Sequence, residues 1–233
     1  MKKTVIILLS IAMSIIILNT FLSHTFIINY TKKIFLYKKL DTIKINNTEK
    51  MMYKHTIDDI TQKLYYNTIN GVDYVSSYIT IKNINYFLGS SLYNKQTKDL
   101  SRLRLLITKT NLNYKSSVYK FVEVMGANYA KTTYFIVVNK VPKILISMDG
   151  YTYEKDIDND GKLETISVYG SPGEQTTIYK WNFKNGNISY VNLNETIFDG
   201  SPSVHINDKS QIVVYIHGKK EYYIIRNSKI HKI

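Results

Sequence analysis

The sequence predicts an α+β protein: an N-terminal membrane-spanning helix, a short helical segment, and then a mainly antiparallel β meander. Three observations carry this prediction. No Asp, Glu, Lys or Arg occurs from Thr4 to Thr31. Two stretches, over residues 56–66 and 97–109, space their apolar residues as a helix does. From Tyr114 onward, short β-branched and aromatic runs recur between turn residues.

The first element is residues 1–31, a signal anchor or signal peptide. Lys2 and Lys3 precede an uncharged window long enough to cross a hydrocarbon core of about 30 Å, with residues 4–28 as the membrane contact. A cleaved signal would end in a small-x-small site, and Leu22-Ser23-His24 is a poor one, which favours an uncleaved anchor. Lys32, Lys33, Lys38 and Lys39 balance Lys2 and Lys3 across the window, so the positive-inside rule does not orient it. Residues 32–52 read as a basic linker.

Residues 53–113 read as a mixed helical and strand segment. In TIDDITQKLYY, Thr56 and Asp59 form a capping arrangement, and Ile57, Ile60 and Leu64 share a helical face. In TKDLSRLRLLITK, Thr97 can cap a stripe of Leu100, Leu103, Leu106 and Ile107. DYVSSYITI between them reads as a strand.

Residues 114–233 form the β-rich domain. VYKFVEV, TTYFIVV, KILISMDG, ETISVYG, TTIYKWNF, ISYVNL, QIVVYIHG and EYYIIR follow one another at the spacing of a meander. Lys184-Asn185-Gly186-Asn187 is a hairpin turn. No unit has a second strong copy, so a full multi-blade repeat array is not expected.

Composition narrows the function. The net charge is +13, yet the lysines are dispersed and the only arginines are Arg102, Arg104 and Arg226, so no nucleic-acid footprint is present. Lys, Asn, Ile and Tyr enrichment accompanies AT-rich coding, while a functional reading of the charge is an anionic cell-envelope polymer or protein partner. Cysteine is absent, which excludes disulfides, Cys-ligated zinc, thiol catalysis and a lipobox anchor.

Against this basic background, DIDNDGKLE places Asp156, Asp158, Asp160 and Glu164 in nine residues. Calcium takes six to eight oxygen ligands at about 2.3–2.6 Å, and alternate residues of a tight turn converge on one centre. Gly161 permits the bend, Lys162 offers its carbonyl, and Glu164 adds the fourth carboxylate. An EF-hand needs a bidentate Glu at its twelfth position, which here is Ser167, and its flanks are helices where these read as strands.

The spacing, with the acid at the ninth position before an apolar strand, resembles the calcium loops of FG-GAP/VCBS-type repeats. DIDNDGKLETISVYG matches that pattern throughout, and the wider stretch from GANYAKTTYF to GSPGE looks like small exported proteins of spore-forming Gram-positive bacteria. The resemblance implies a structural Ca2+ held by Asp156, Asp158, Asp160, Lys162 and Glu164, in a propeller-blade-like sheet. A single such loop argues against a closed propeller.

No metalloprotease, nucleophile-elbow, Walker or dinucleotide motif appears. His205 and His217 fall on consecutive predicted strands, Asp58 pairs with Asp59 in sequence and Asp199 approaches Asp208, but none defines a catalytic pair. Tyr179, Trp181 and Phe183 share a strand face that reads as packing or as an aromatic platform. The expectation is therefore a membrane-anchored or secreted cell-surface protein, its domain outside the cytosol, with a non-catalytic binding or architectural role. The alternative is an extracytoplasmic enzyme acting on wall polymers or glycans.

Overall fold

A computed structural model describes residues 25–45, 50–93, 105–112, 114–126, 129–170, 174–198, 203–216 and 218–233. Strands make up 66% of these residues and helix 2%. The N-terminal segment supplies three short strands, β1 (Thr25–Ile27), β2 (Thr31–Ile34) and β3 (Lys38–Lys39). Four meanders follow. The first is β4 (Lys50–Ile57), β5 (Ile60–Ile69), β6 (Val72–Ile81) and β7 (Ile84–Leu92). The second is β8 (Thr108–Lys109), β9 (Val118–Gly126), β10 (Tyr129–Val138) and β11 (Val141–Asp149). The third is β12 (Tyr151–Lys155), β13 (Glu164–Tyr169), β14 (Gln175–Asn182) and β15 (Asn187–Asn192). The fourth is β16 (Val204–Ile206), β17 (Ile212–Ile216), β18 (Lys219–Arg226) and β19 (Lys229–Lys232), reached through one helical turn, α1 (Leu193–Thr196).

The α part of the prediction is overturned, because both predicted helices fall on strand, turn or coil where the structure describes them. Ile57 ends β4 and faces Ile60 across a hairpin, while Thr56 pairs with Thr61. Ile60 and Leu64 do share a face, but as strand residues four apart, since a period of two also brings them together. The turn between is set by Asp58 in the left-handed region (φ 49°), so the acids serve as turn residues and not as a cap. In the second stretch, Thr97, Leu100 and Leu103 lie outside the described residues. Leu105 and Ile107 are buried in alternation, and Thr108 begins β8. The non-helical backbone there is satisfied by buried Gln62, whose amide donates to the Leu105 carbonyl (2.6 Å) and accepts from Ile107 N–H (2.9 Å).

The predicted membrane helix is corrected as well. Residues 1–24 lie outside the described residues, but 25–27 and 31–34 are strands, so the end of the uncharged window is sheet. Among the described residues no helix is long and apolar enough to cross a membrane. Residues 32–52, read as a linker, supply β2, β3 and the start of β4.

Contrary to the expectation that no unit repeats, the four-stranded meander recurs four times. The repetition resides in strand pairing, with side chains, turns and lengths differing from sheet to sheet, so residue identity conceals it. Consecutive sheets share apolar cores. Leu64, Ile79 and Tyr86 meet Phe121 and Phe135 between the first and second sheets. Tyr134, Ile136 and Met148 meet Ile188 between the second and third. Ile166, Ile178 and Val191 meet Val214, Tyr223 and Ile225 between the third and fourth.

Residues 25–43 strap these sheets together. β1 pairs with β19, β2 with β15, β3 with β11, and Thr42 bridges to Tyr86 of β7. The segment thus adds to the last strand of every meander, in reverse chain order. Between pairings it drops one side chain into each core: Ile28 into the third–fourth, Phe35 into the second–third, Leu40 into the first–second. Burying each contributes about 1.5–3 kcal/mol.

Candidate calcium loop

The acidic segment is the connection between β12 and β13 in the third sheet. Its ends are fixed before any ion is considered. Ile157 is buried in the third–fourth core, and Glu164, the first residue of β13, is buried beside it. Lys155 donates to the carbonyls of Asn207 (3.1 Å) and Asp208 (2.6 Å), tying the loop to the β16–β17 turn. Asn159 (φ 59°) and Gly161 (φ 81°) are left-handed, which lets the chain fold over its own acids.

That path brings carboxylate oxygens of Asp156, Asp158 and Glu164 within 4.8 Å of one another. Oxygens around one calcium at about 2.3–2.6 Å lie no farther apart than about twice that radius, so the three can bind the same ion. Asp156 accepts from the N–H groups of Asp160 (3.2 Å) and Gly161 (3.0 Å), and Asp158 from Asp160 N–H (3.3 Å). Ile157 N–H donates to Glu164 Oε2 (3.0 Å). Asp160, read from the sequence as a ligand, instead turns to Lys162, accepting from its N–H (2.8 Å) and its ammonium (3.3 Å). Lys162, expected from the sequence to offer its carbonyl, presents an exposed side chain paired to Asp160.

Two residues that the motif does not contain complete the site. Lys180 on β14 lies one register step beyond the Thr165–Tyr179 pair, opposite Glu164. Its ammonium bonds Asp158 and lies 3.8 Å from Glu164 Oε1. Tyr30, from the strap, places its ring 5.6 Å from that ammonium. Its hydroxyl is buried without a hydrogen-bond partner among the described residues, and burial, then the charges of Glu164 and Asp158, hold its pKa above the ordinary tyrosine range. Neither was visible in the sequence, because each reaches the loop through strand register from a distant segment. Burial pushes the Glu164 carboxyl up to about 7, reinforced by Asp158 and Asp160 and opposed by Ile157 N–H and Lys180.

The other sequence candidates are placed as follows. His217 and Asp199 lie outside the described residues, and His205 faces Glu174 at 3.6 Å. The ring of Phe183 stacks on Trp181 (5.1 Å) and meets Tyr114 (4.5 Å). Trp181 also meets Tyr134 and Phe35, so this aromatic row packs against the second–third core, while half-buried Trp181 and Phe183 also line a cleft of about 380 Å³. Asp58 is held by Lys109 (3.0 Å) and Tyr119 (2.6 Å) at the rim of a cleft of about 590 Å³ between the first and second sheets. Comparison with protein families, curated proteins and solved structures finds no match to this chain.

Proposed function

We propose that this chain is a calcium-stabilised β-sheet protein working outside the cytosol, with a binding or architectural role and no catalysis. The observation that carries the reading is the convergence of Asp156, Asp158 and Glu164 within 4.8 Å. Two of the three are nearly inaccessible, Asp158 at 7% and Glu164 at 3% side-chain exposure. Buried like charges repel strongly, and a divalent cation is the partner whose charge and ligand number answer three carboxylates. The bound ion would join β13 to the loop that already reaches the fourth sheet through Lys155, so its contribution is to hold two sheets together. Asp156, Asp158 and Glu164 would ligate directly, with the Lys162 carbonyl and Asp160 available after a small loop adjustment. Loops of this acidity in extracellular modules bind at about 10⁻⁴–10⁻³ M, a range that requires a calcium-rich compartment.

The test is thermal melting of the full chain with and without calcium. Ten millimolar calcium should raise Tm by several degrees, as expected for about 2 kcal/mol of linkage in a chain of this size. Asp158→Ala should remove the rise, and magnesium should reproduce little of it. A Tm unchanged at millimolar calcium would sink the site.

A further inference from the structure

The cleft of about 590 Å³ lies at one end of the first and second sheets, where three turns meet. Asp58–Asp59 joins β4 to β5, Lys82–Asn83 joins β6 to β7, and Asn139–Lys140 joins β10 to β11. Its floor is apolar, with half-buried Val137 beside buried Ile60 and Ile81.

The charges on the rim are not paired crosswise. Asp59 and Lys82 stand two register steps beyond the Thr61–Thr80 pair, so their turns are neighbours. Yet among the described residues no ion pair joins Lys82 or Lys140 to Asp58 or Asp59. Asp58 is taken by Lys109 and Tyr119. Lys82 instead lies against Lys140 of the other sheet, and hydrogen bonding to that amine, then its charge, hold Lys82 below the ordinary lysine range. Both lysines also sit in the left-handed region (φ 47° and 64°), which asparagine and glycine adopt at least cost. The turns Asn70–Gly71 and Asn227–Ser228 give those positions to small residues.

Two ammonium groups side by side, one from each sheet, are answered by a group with several acceptor oxygens. A bare inorganic ion would use the lysines and leave the apolar floor uncovered. A polyanion laid across the rim would be repelled by Asp58 and Asp59. A metal cation would meet the lysine pair and find Asp58 already engaged. A compact molecule with an oxyanion head and an apolar body answers both the lysines and the floor, and the cleft falls in the range of small-molecule sites, about 300–1,000 Å³.

We infer that this cleft binds a small amphipathic oxyanion, its phosphate or carboxylate held between Lys82 and Lys140 and its apolar body against Val137. The inference does not depend on the calcium loop, and its test is run in EDTA so that the two stand or fall separately.

The probes are phenyl phosphate and benzoate, each titrated into the full chain by isothermal calorimetry, with inorganic phosphate and benzyl alcohol as the two halves of the chemistry. The better aryl oxyanion identifies the head group, and it should bind about tenfold or more tighter than either half. Lys82→Asn/Lys140→Asn, in which asparagine keeps the left-handed turns, should weaken it about tenfold or more. Lys219→Asn/Lys229→Asn removes the same charge at exposed positions elsewhere and should leave binding within about twofold. Melting checks that both variants are folded. If the first is not, Lys140→Gly, which relaxes its turn, takes its place with the same expected direction. Absence of binding by both aryl probes at about 10 mM would overturn the proposal. So would equal loss in the two double variants, or inorganic phosphate binding as tightly as the aryl probes, which would make the site one for an adventitious ion only. Tighter, Lys82- and Lys140-dependent binding to phosphatidylglycerol vesicles would overturn it too, in favour of a membrane contact.

Discussion

The β4–β5 turn of the first sheet and the β12–β13 loop of the third both place acidic side chains at the end of a hairpin. At the first, Asp58 and Asp59 are exposed. Asp58 is held below the usual carboxylate range by the Tyr119 hydroxyl, then by the Lys109 ammonium. At the second, Glu164 is buried and pushed up to about 7, and the lysine that reaches it is shared with Asp158. An exposed acid with two partners is already satisfied and acts as a clip between sheets. Three converging acids sharing one ammonium remain short of positive charge. Acidic composition in a turn thus does not distinguish the two, whereas burial relative to the available cations does.

The largest expected effect concerns pH. Glu164 binds its proton more tightly folded (about 7) than unfolded (4.5). Calcium-free stability should therefore be intact below pH 4.5 and decline as pH rises toward 7, by up to about 3 kcal/mol. Calcium should flatten that decline by making the carboxylate form the favoured one. Glu164→Gln should remove both the decline and the calcium response. Urea midpoints measured from pH 4 to 8 check this, and a calcium-free curve flat over that range would refute the assignment of Glu164.

A smaller effect belongs to Lys180. Its ammonium stands where a cation would, so calcium must displace it toward the Tyr30 ring. Lys180→Met should tighten calcium about tenfold, equivalent to about 1.4 kcal/mol, while lowering calcium-free stability. Isothermal titration decides: unchanged affinity would place the lysine outside the ion's reach.

The same contrast explains what was legible in the sequence. Strands after Val118 were readable because β-branched and aromatic runs are bounded by turn residues. The acidic loop was readable because its acids are close together in sequence, although Asp160 proves turned toward Lys162. Ile60 and Leu64 misled because residues four apart share a face in both a strand and a helix, and Ile57 because a hairpin turn sets it opposite Ile60. The uncharged N-terminal window masked β1, since Phe26 and Ile27 look alike in a hydropathy profile whether they face lipid or join β19. Lys180 and Tyr30 were beyond local reading, as only the register of β13 on β14 and the course of the strap bring them to Glu164.

The smallest expected effect is at the other turn. Asp58→Asn keeps a residue tolerant of the left-handed backbone and an oxygen for the Tyr119 hydroxyl, while removing the charge that Lys109 answers. Because the Asp58 pKa is lowered on folding, its contribution is present above the unfolded value of 3.8 and lost as pH falls below it, the reverse of Glu164. The variant should leave the calcium response and the decline between pH 4.5 and 7 untouched, and flatten only the acid limb below pH 4. An exposed pair screened by solvent contributes little, so Tm at neutral pH should barely move. If Asp58→Asn altered the calcium-induced rise in Tm, the two turns would be energetically coupled through the second sheet. The contrast between a satisfied clip and an unsatisfied cation site would then have to be abandoned.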